Sequence, residues 1–517
     1  MADSQQMDAR KWIAVAGTML GAFMAILDIQ ITNASLADIS GGIAATPAEG
    51  SWISTSYLIG EIITIPLTAW FMRIFTIRYY LLVNVVLFLI FSGLCGISTS
   101  LGEIIVWRAG QGFTGGVFIP TALTIIITYM PPNLRGVGQA MFGLTATLAP
   151  AVGPYIGGLL TDNVGWQWNF YINFIPGLIM FATVFATIPA EKLNLKLLRE
   201  GDWLGIGSMA IGLGALIAML EEGQRKDWLG SQFIRNCAIL AGIFVPMFLI
   251  REFMAEKPLV KLRLIASRNL GISTLVAFVL GVGLYGTIYL IPQYLSMVQG
   301  YSPTLIGETL IWVGLPQLLI FPLLPLLLKK FDVRVLVFVG SLFFAASCFM
   351  NSYMSPLYGK QQFIVANIVR ALGQPFTIVP VTALATATLA RADAGDGSAI
   401  FNMFRNLGGS VGIAILDTVT TRREQFHDWR IGERITVYDP AVQGRLAATT
   451  AQFVAKGFDP STAMKQAYGA MKLSVRKSAY TMAFNDAFLI VGYSLLVGAV
   501  LVWFCKKPKP GAQAAAH

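Results

Sequence analysis

The sequence predicts an all-α membrane protein of fourteen transmembrane helices: two parallel six-helix halves with two helices inserted between them. Three observations carry that expectation. Apolar residues make up 55% of the 517 and charged residues only 12%, with a mean hydropathy of +0.66, whereas a soluble globular chain is about a quarter charged. The apolar residues fall in stretches of about twenty, the length that crosses a hydrocarbon core of about 30 Å. The chain also repeats itself at an offset of about 260 residues.

The stretches lie roughly at 12–35, 51–71, 80–99, 103–129, 137–160, 169–188, 203–221, 236–254, 270–296, 304–327, 335–354, 361–389, 398–419 and 482–504. An even number returns the chain to the side on which it began. Arg10 and Lys11 precede the first stretch, and Lys506, Lys507 and Lys509 follow the last. Loops of that side hold about nineteen Lys and Arg; the short loops of the other hold about four, namely Arg225, Lys226, Arg235 and Lys360. This asymmetry is the positive-inside signal, so both termini are expected in the cytoplasm. It accounts for the net charge of +10 without a nucleic-acid partner. The start MADSQQMDARKW lacks the pattern of a cleavable signal. Cys95, Cys237, Cys348 and Cys505, with His427 and His517, have no metal-ligand spacing, so neither a metal nor a disulfide framework is expected.

Residues 107–160 are the most informative stretch. WRAGQGFTGGVFIPTALTIIITYM is an apolar helix with one arginine, Arg108; PPNLRGVG is a polar break; QAMFGLTATLAPAVGPYIGGLL carries Gly143, Pro150, Gly153, Pro154, Gly157 and Gly158. In water that glycine and proline density would break a helix. In a bilayer the backbone has no other bonding partner, and small residues let a second helix approach closely.

RAGQGFT at 108–114 returns with one insertion as RALGQPFT at 370–377, GQAMF at 138–142 returns as GSAIF at 397–401, and Gly153 falls opposite Gly412. An offset of eight spans matches spans 1–6 to spans 9–14 and leaves two inserted. The expected division is residues 1–190, an insertion at 191–268, and residues 269–517, the last including a long outward loop at 420–481. Parallel six-span repeats are a transporter plan.

These motifs also carry a resemblance. Arg108, Gln111 and Gly112 are similar to the fourth-span signature of the major facilitator superfamily, and the run from Gly143 to GPYIGG resembles its antiporter signature. The two extra spans narrow the resemblance to the fourteen-span drug:proton antiporter branch, the EmrB/QacA type. LDIQITNASL at 27–36, WISTSYLIGEIITIPLTAWF at 52–71 and FNMFRNLGGSVGIAI at 401–415 resemble its first, second and thirteenth spans, so the likeness covers essentially the whole chain. MRIFTIRYY at 72–80 is a degraded form of the family's Gly-x-x-x-Asp-Arg-x-Gly-Arg gate motif; its acid and glycines are missing. The family's cytoplasmic charge lock is therefore not carried over intact. The resemblance implies multidrug or toxic-amphiphile efflux from a bacterial inner membrane, coupled to protons by alternating access. It also implies a periplasmic membrane fusion protein and an outer-membrane channel as partners in a tripartite pump that confers antibiotic resistance.

An ionisable residue inside a membrane is a functional candidate by default, because its burial is costly. Asp28 and Glu61 are the expected proton carriers, and Arg108 is their expected charge partner. Glu308, Arg370 and Arg405 are further intramembrane charges, and Asp417 lies at the membrane exit. Asn33, Tyr57, Gln111, Phe142, Tyr285, Tyr289, Trp312, Gln317 and Asn367 are candidate lining residues of a cavity for amphiphilic or cationic guests, for which aromatic faces are suited. No Ser/His/Asp set, phosphate-binding glycine loop or HExxH motif is present. The chain is therefore expected to be no enzyme, to need no cofactor and to draw on an ion gradient. Export of one endogenous metabolite or lipid is the alternative, and a membrane enzyme or sensor the remote one. The 420–481 loop, with His427, Trp429, Arg430, Arg434 and Tyr438, is the expected docking surface for the fusion protein.

Overall fold

The computed structural model describes residues 7–255, 258–387, 389–436 and 438–507; Lys509 and His517 lie outside the described residues. Among these, the secondary structure is helical, with no strand, and thirteen helices are long and apolar enough to cross a membrane. They are α1 (Ala9–Ala34), α2 (Glu49–Ile97), α3 (Leu101–Tyr129), α4 (Arg135–Val164), α5 (Trp168–Thr187), α6 (Trp203–Glu222), α7 (Gln232–Met254), α8 (Arg268–Gln299), α9 (Pro303–Lys330), α10 (Val333–Tyr353), α11 (Lys360–Thr386), α12 (Ala394–Gly432) and, after the shorter α13 (Pro440–Ala455), α14 (Pro460–Phe504).

The expected fourteen separate helices are corrected at α2. Its 49 residues would run about 74 Å if straight, at about 1.5 Å per residue, more than twice the hydrocarbon thickness. Thr76, at φ 62° and ψ 158°, interrupts it. The expected stretches 51–71 and 80–99 are thus two arms about one non-helical residue. FTIRYY has no glycine or proline to hold the backbone out of the helix, so the helix resumes at once.

The helices bury their small faces and expose large apolar side chains outward, Ile175, Leu319 and Val500 among them, as surfaces meant for lipid do. Close contacts are made at glycines. Gly153 and Gly157 on α4 lie against Gln30 and the Ile31 backbone of α1; Gly408 and Gly412 on α12 lie in the same way against Phe278 and Val282 of α8. Gly110 on α3 meets Phe91 on the second arm of α2, and Gly373 on α11 meets Phe344 of α10. A Cβ at any of these positions would strike the neighbouring helix. The sequence repeat is therefore also a repeat of helix contacts. Helices α6 and α7 pair with each other, and α6 packs against α2 and α12.

The expected polar connector at 420–481 is mostly helix. α12 continues through Gly432, and α13 (Pro440–Ala455) and the first turns of α14, from Pro460, occupy most of the remainder, each opening on an Asp-Pro pair that marks a helix start. No glycine or proline lies between Thr420 and Arg430. Arg423 and His427, one turn apart, both reach Asp486 of α14, at 2.6 and 2.9 Å. Asp439 and Asp459 cap α13 and α14 ahead of a proline at the first helical position. Hydrogen bonds from Thr462 and Ser461 hold the Asp459 carboxyl down to about 2. His427 is buried, so it does not belong to the docking surface; Trp429 and Tyr438 are exposed.

Candidate functional site: a buried charge network and two interior cavities

α1, α2, α3 and α5 meet around Asp28. Its carboxylate receives Arg108 Nη1 at 2.6 Å, Gln111 Nε2 at 3.0 Å and Asn173 Nδ2 at 2.6 Å. Ser92 accepts from Gln111 and Asn173. Arg108 also donates to Gln111 Oε1 at 2.7 Å and to the Ile53 carbonyl at 3.2 Å, and its guanidinium lies 4.3 Å from the centre of the Tyr57 ring. Asp28, Arg108 and Gln111 are fully buried. Gly112 is what admits this cluster: with no side chain, it lets α3 approach α2 until Arg108 reaches the Ile53 carbonyl. Asn173, from the short turn before Phe174–Thr187, was not among the sequence candidates. An asparagine one turn after Asn169, amid apolar residues at the start of the sixth span, was its only signal.

Glu61 is elsewhere. It accepts from Asn406 Nδ2 of α12 at 3.0 Å and makes no ion pair among the described residues, so Arg108 does not serve both carboxylates. The guanidinium is turned to α1 by the Asp28 and Gln111 bonds, while Glu61 projects from α2 towards α12. Asn406 also accepts from Tyr285 at 3.2 Å. Glu61, Asn406 and Tyr285 line a cavity of about 40 Å³ with Leu58, Ser410 and Glu221.

Glu221 and Glu222, at the end of α6, were not among the sequence candidates. Glu222 is fully buried and accepts from Ser51 at 2.8 Å and Thr55 at 3.0 Å on α2. Adjacent acids at the end of a helix pair that the repeat leaves over were the available clue.

A second cavity, about 10 Å³, lies between α4, α8, α9 and α11 and is lined by Thr147, Pro150, Ile288, Val313, Arg370 and Gln374. Arg405 lies on α12 with its guanidinium 5.9 Å from the Phe142 ring. Glu308 is half-exposed and paired with Lys360 at 2.6 Å, a surface ion pair. Asp417 is likewise not merely solvated: Tyr289 donates to it at 2.7 Å. Gln317 donates to Gln374, and Asn367 to the Thr309 carbonyl. Of the nine residues expected to line a cavity, Tyr285 alone lines one of these two; Asn33 is exposed and bonded to Ser54, and Tyr57, Gln111, Phe142, Tyr289, Trp312, Gln317 and Asn367 line neither. Of the antiporter-type residues, Gly153 and Gly157 face α1, Gly158 faces Thr304 of α9, Gly143 faces Phe321 and Val379, and Pro154 is buried in α4.

At the kink of α2 the degraded gate motif retains one working charge. Arg73 donates to the Leu259 carbonyl at 3.0 Å and lies 3.8 Å from Asp396 at the start of α12. Lys261 joins the same group through Asp393. On that face Asp332 is held below the usual carboxylate range by hydrogen bonds from Arg334.

A polytopic helical bundle joined by glycine contacts, with charges inside it held between helices, is the architecture of a membrane transporter. The chain belongs to the major facilitator superfamily, whose family model, described as Major Facilitator Superfamily, matches residues 18–413. It is 34% identical to the "Colistin resistance protein EmrB" of Acinetobacter baumannii, over 96% of this chain and 97% of that protein. It is 29% identical to the "Multidrug export protein EmrB" of Escherichia coli K12, over 95% and 94%. The solved structure of the proton:xylose symporter XylE superposes with a TM-score of 0.59 at 14% identity, covering 96% of this chain and 95% of that one, which shows a shared fold.

Proposed function

We propose that the protein exports amphiphilic or cationic compounds from the bacterial cytoplasm in exchange for protons, by alternating access. The single observation that carries this reading is Glu61: a buried carboxylate bonded across to α12, free of an ion pair, on the wall of a cavity that also holds Glu221. A carboxyl group there gains or loses its charge according to which side of the membrane reaches it. Asp28, held by Arg108, Gln111 and Asn173, is better suited to orient α1 against α3 and α5. The names of the EmrB relatives support multidrug export.

Counting the arms of α2 separately gives fourteen passages, in halves 1–190 and 269–517 around an insertion at 191–268. The face bearing Arg73 and Lys261 is then cytoplasmic, as are both termini. The outer extension of α12, α13 and α14 carries exposed Trp429, Tyr438, Phe458 and Tyr468, a composition suited to a periplasmic fusion protein and, through it, an outer-membrane channel.

The experiment is proton exchange in inverted membrane vesicles, driven by lipophilic cations such as tetraphenylphosphonium. The reading expects wild type to collapse a pre-formed proton gradient on addition of the cation and Glu61→Gln to leave it standing. A cation-driven proton flux unchanged by Glu61→Gln would sink it.

A further inference from the structure

The two repeated arginines are treated differently. Arg108 has its carboxylate; Arg370, which occupies the matching place in RALGQPFT, has none. Arg370 is only 3% exposed, and its Nε and Nη1 have no hydrogen-bond partner. No ion pair reaches it from the described residues. Residues 286–291 of α8, the segment matching Asp28 at the repeat offset, read GTIYLI and contain no acid. The whole of α8 holds no acid, and Ile288 on that helix lines the cavity beside Arg370. An unpaired guanidinium in low dielectric is costly and is kept only where something compensates it.

Resting on the export reading above, we propose that Arg370 is the anion site of the transport cavity and binds the carboxylate of single-tailed amphiphiles. The two atoms left unpartnered, Nε and Nη1, are donors on different edges of the guanidinium, and a carboxylate accepts from either through a charge-assisted hydrogen bond. The apolar walls, Pro150, Leu284, Ile288, Leu310 and Val313, suit the first carbons of a tail. Gln374, whose amide oxygen is engaged by Gln317, keeps its own NH2 available to the same headgroup. At about 10 Å³ the cavity has room for about one water. Its walls come from α4 on one side and from α8, α9 and α11 on the other, so parting of the two halves opens it and admits the ligand. A carboxylate there supplies the charge that Asp28 supplies to Arg108.

The test uses full-length protein in nanodiscs and compares dodecanoate with dodecanol, which has the same tail and no charge, each corrected for partition into empty nanodiscs. Wild type is expected to bind dodecanoate at least about tenfold more tightly, the scale of one charge-assisted interaction. Arg370→Gln is expected to bind the two alike, and Arg370→Lys to keep part of the preference. Ile288→Asp, which installs the missing carboxylate inside the protein, is expected to lose it too. Absence of a preference in wild type overturns the proposal, as does a preference that survives in folded Arg370→Gln. Should Arg370→Gln fail to fold, Ile288→Asp decides: a retained preference refutes the site and a lost one supports it. Cation-driven proton flux by wild type tests the export reading separately, so failure of one is distinguishable from failure of the other.

Discussion

Replacing Asp28 by asparagine is the sharpest perturbation the structure offers. The substitution keeps the shape and removes one charge from a fully buried cluster, leaving Arg108 with the Ile53 carbonyl, Gln111 and the Tyr57 ring. With charge centres about 4 Å apart and an effective dielectric near 20, the lost attraction is about 4 kcal/mol. Removing one partner of a buried pair costs about 3–5 kcal/mol by experience with such pairs. The asparagine can still accept from Gln111 or Asn173, so the lower end of that range is expected. Arg108→Gln should cost a similar amount. The double variant should recover about 2 kcal/mol or more of the sum, because no charge is then left unpaired. The assay is reversible unfolding in mixed micelles for the four members of the cycle. Asp28→Asn within about 1 kcal/mol of wild type, or additive single effects, would show that the pair is not what holds α1 to α3.

Glu61→Gln should abolish cation-driven proton flux yet unfold at the same denaturant concentration as wild type, since Asn406 can donate to the amide oxygen; a marked loss of stability would identify Glu61 as a structural group instead. Gly157→Leu should insert normally, as cysteine labelling would report, but lose transport, because even its Cβ would lie 3.0 Å from the Ile31 carbonyl of α1 and overpacking costs about 1–3 kcal/mol. Thr76→Gly should raise stability by about 1–3 kcal/mol, the strain of a β-branched residue at φ 62°; an unchanged unfolding midpoint would mean that the kink costs nothing. Replacing residues 433–459 by a short Gly/Ser linker, which spares the Arg423–Asp486 and His427–Asp486 contacts, should leave vesicle transport intact and lower whole-cell resistance; full resistance would make the extension a mere connector.

The apolar stretches, the repeat and the glycine-rich α4 were legible because a bilayer imposes them through length, hydropathy and helix approach, all of which are local in sequence. The Asp28–Arg108 pair was legible in kind, since a buried acid and a buried base in neighbouring spans have few alternatives. Its boundary was not. Asn173 and Ser92 complete the cluster from α5 and α2, and neutral residues in apolar helices give no advance sign of facing each other. That Arg108 bonds Asp28 and not Glu61 was not legible for the opposite reason: both are conspicuous, but their rotational settings on α2 and α3 are fixed by Gly60 and Gly112, where the helix backbones nearly touch. In the 420–481 stretch the helical pieces after Pro440 and Pro460 were legible from their Asp-Pro starts; the extension of α12 to Gly432, held by the i,i+4 contacts of Arg423 and His427 to Asp486, was not.

The charges are distributed unevenly in a way that bears on coupling. Around Asp28 the carboxylate, Gln111, Asn173 and Ser92 satisfy one another almost completely, with only Nη2 of Arg108 lacking a hydrogen-bond partner, and the guanidinium lies over the Tyr57 ring. Such a cluster resists change, because any movement exposes a buried charge. On the other side Arg370 and Arg405 keep unpartnered donors, and Glu61 reaches across to Asn406, the residue next to Arg405. A ligand or proton shifts a conformational balance only by as much as it binds one state better than the other. The paired cluster has little differential affinity to offer. Protonating Glu61 changes the charge between α2 and α12, helices of different proposed halves, and an anion at Arg370 changes it between α4 and α11. On the proposed export reading, the moving parts are therefore expected at Glu61, which has no ion pair among the described residues, and at Arg370 and Arg405, which keep unpartnered donors, with the Asp28 cluster as the frame against which they move.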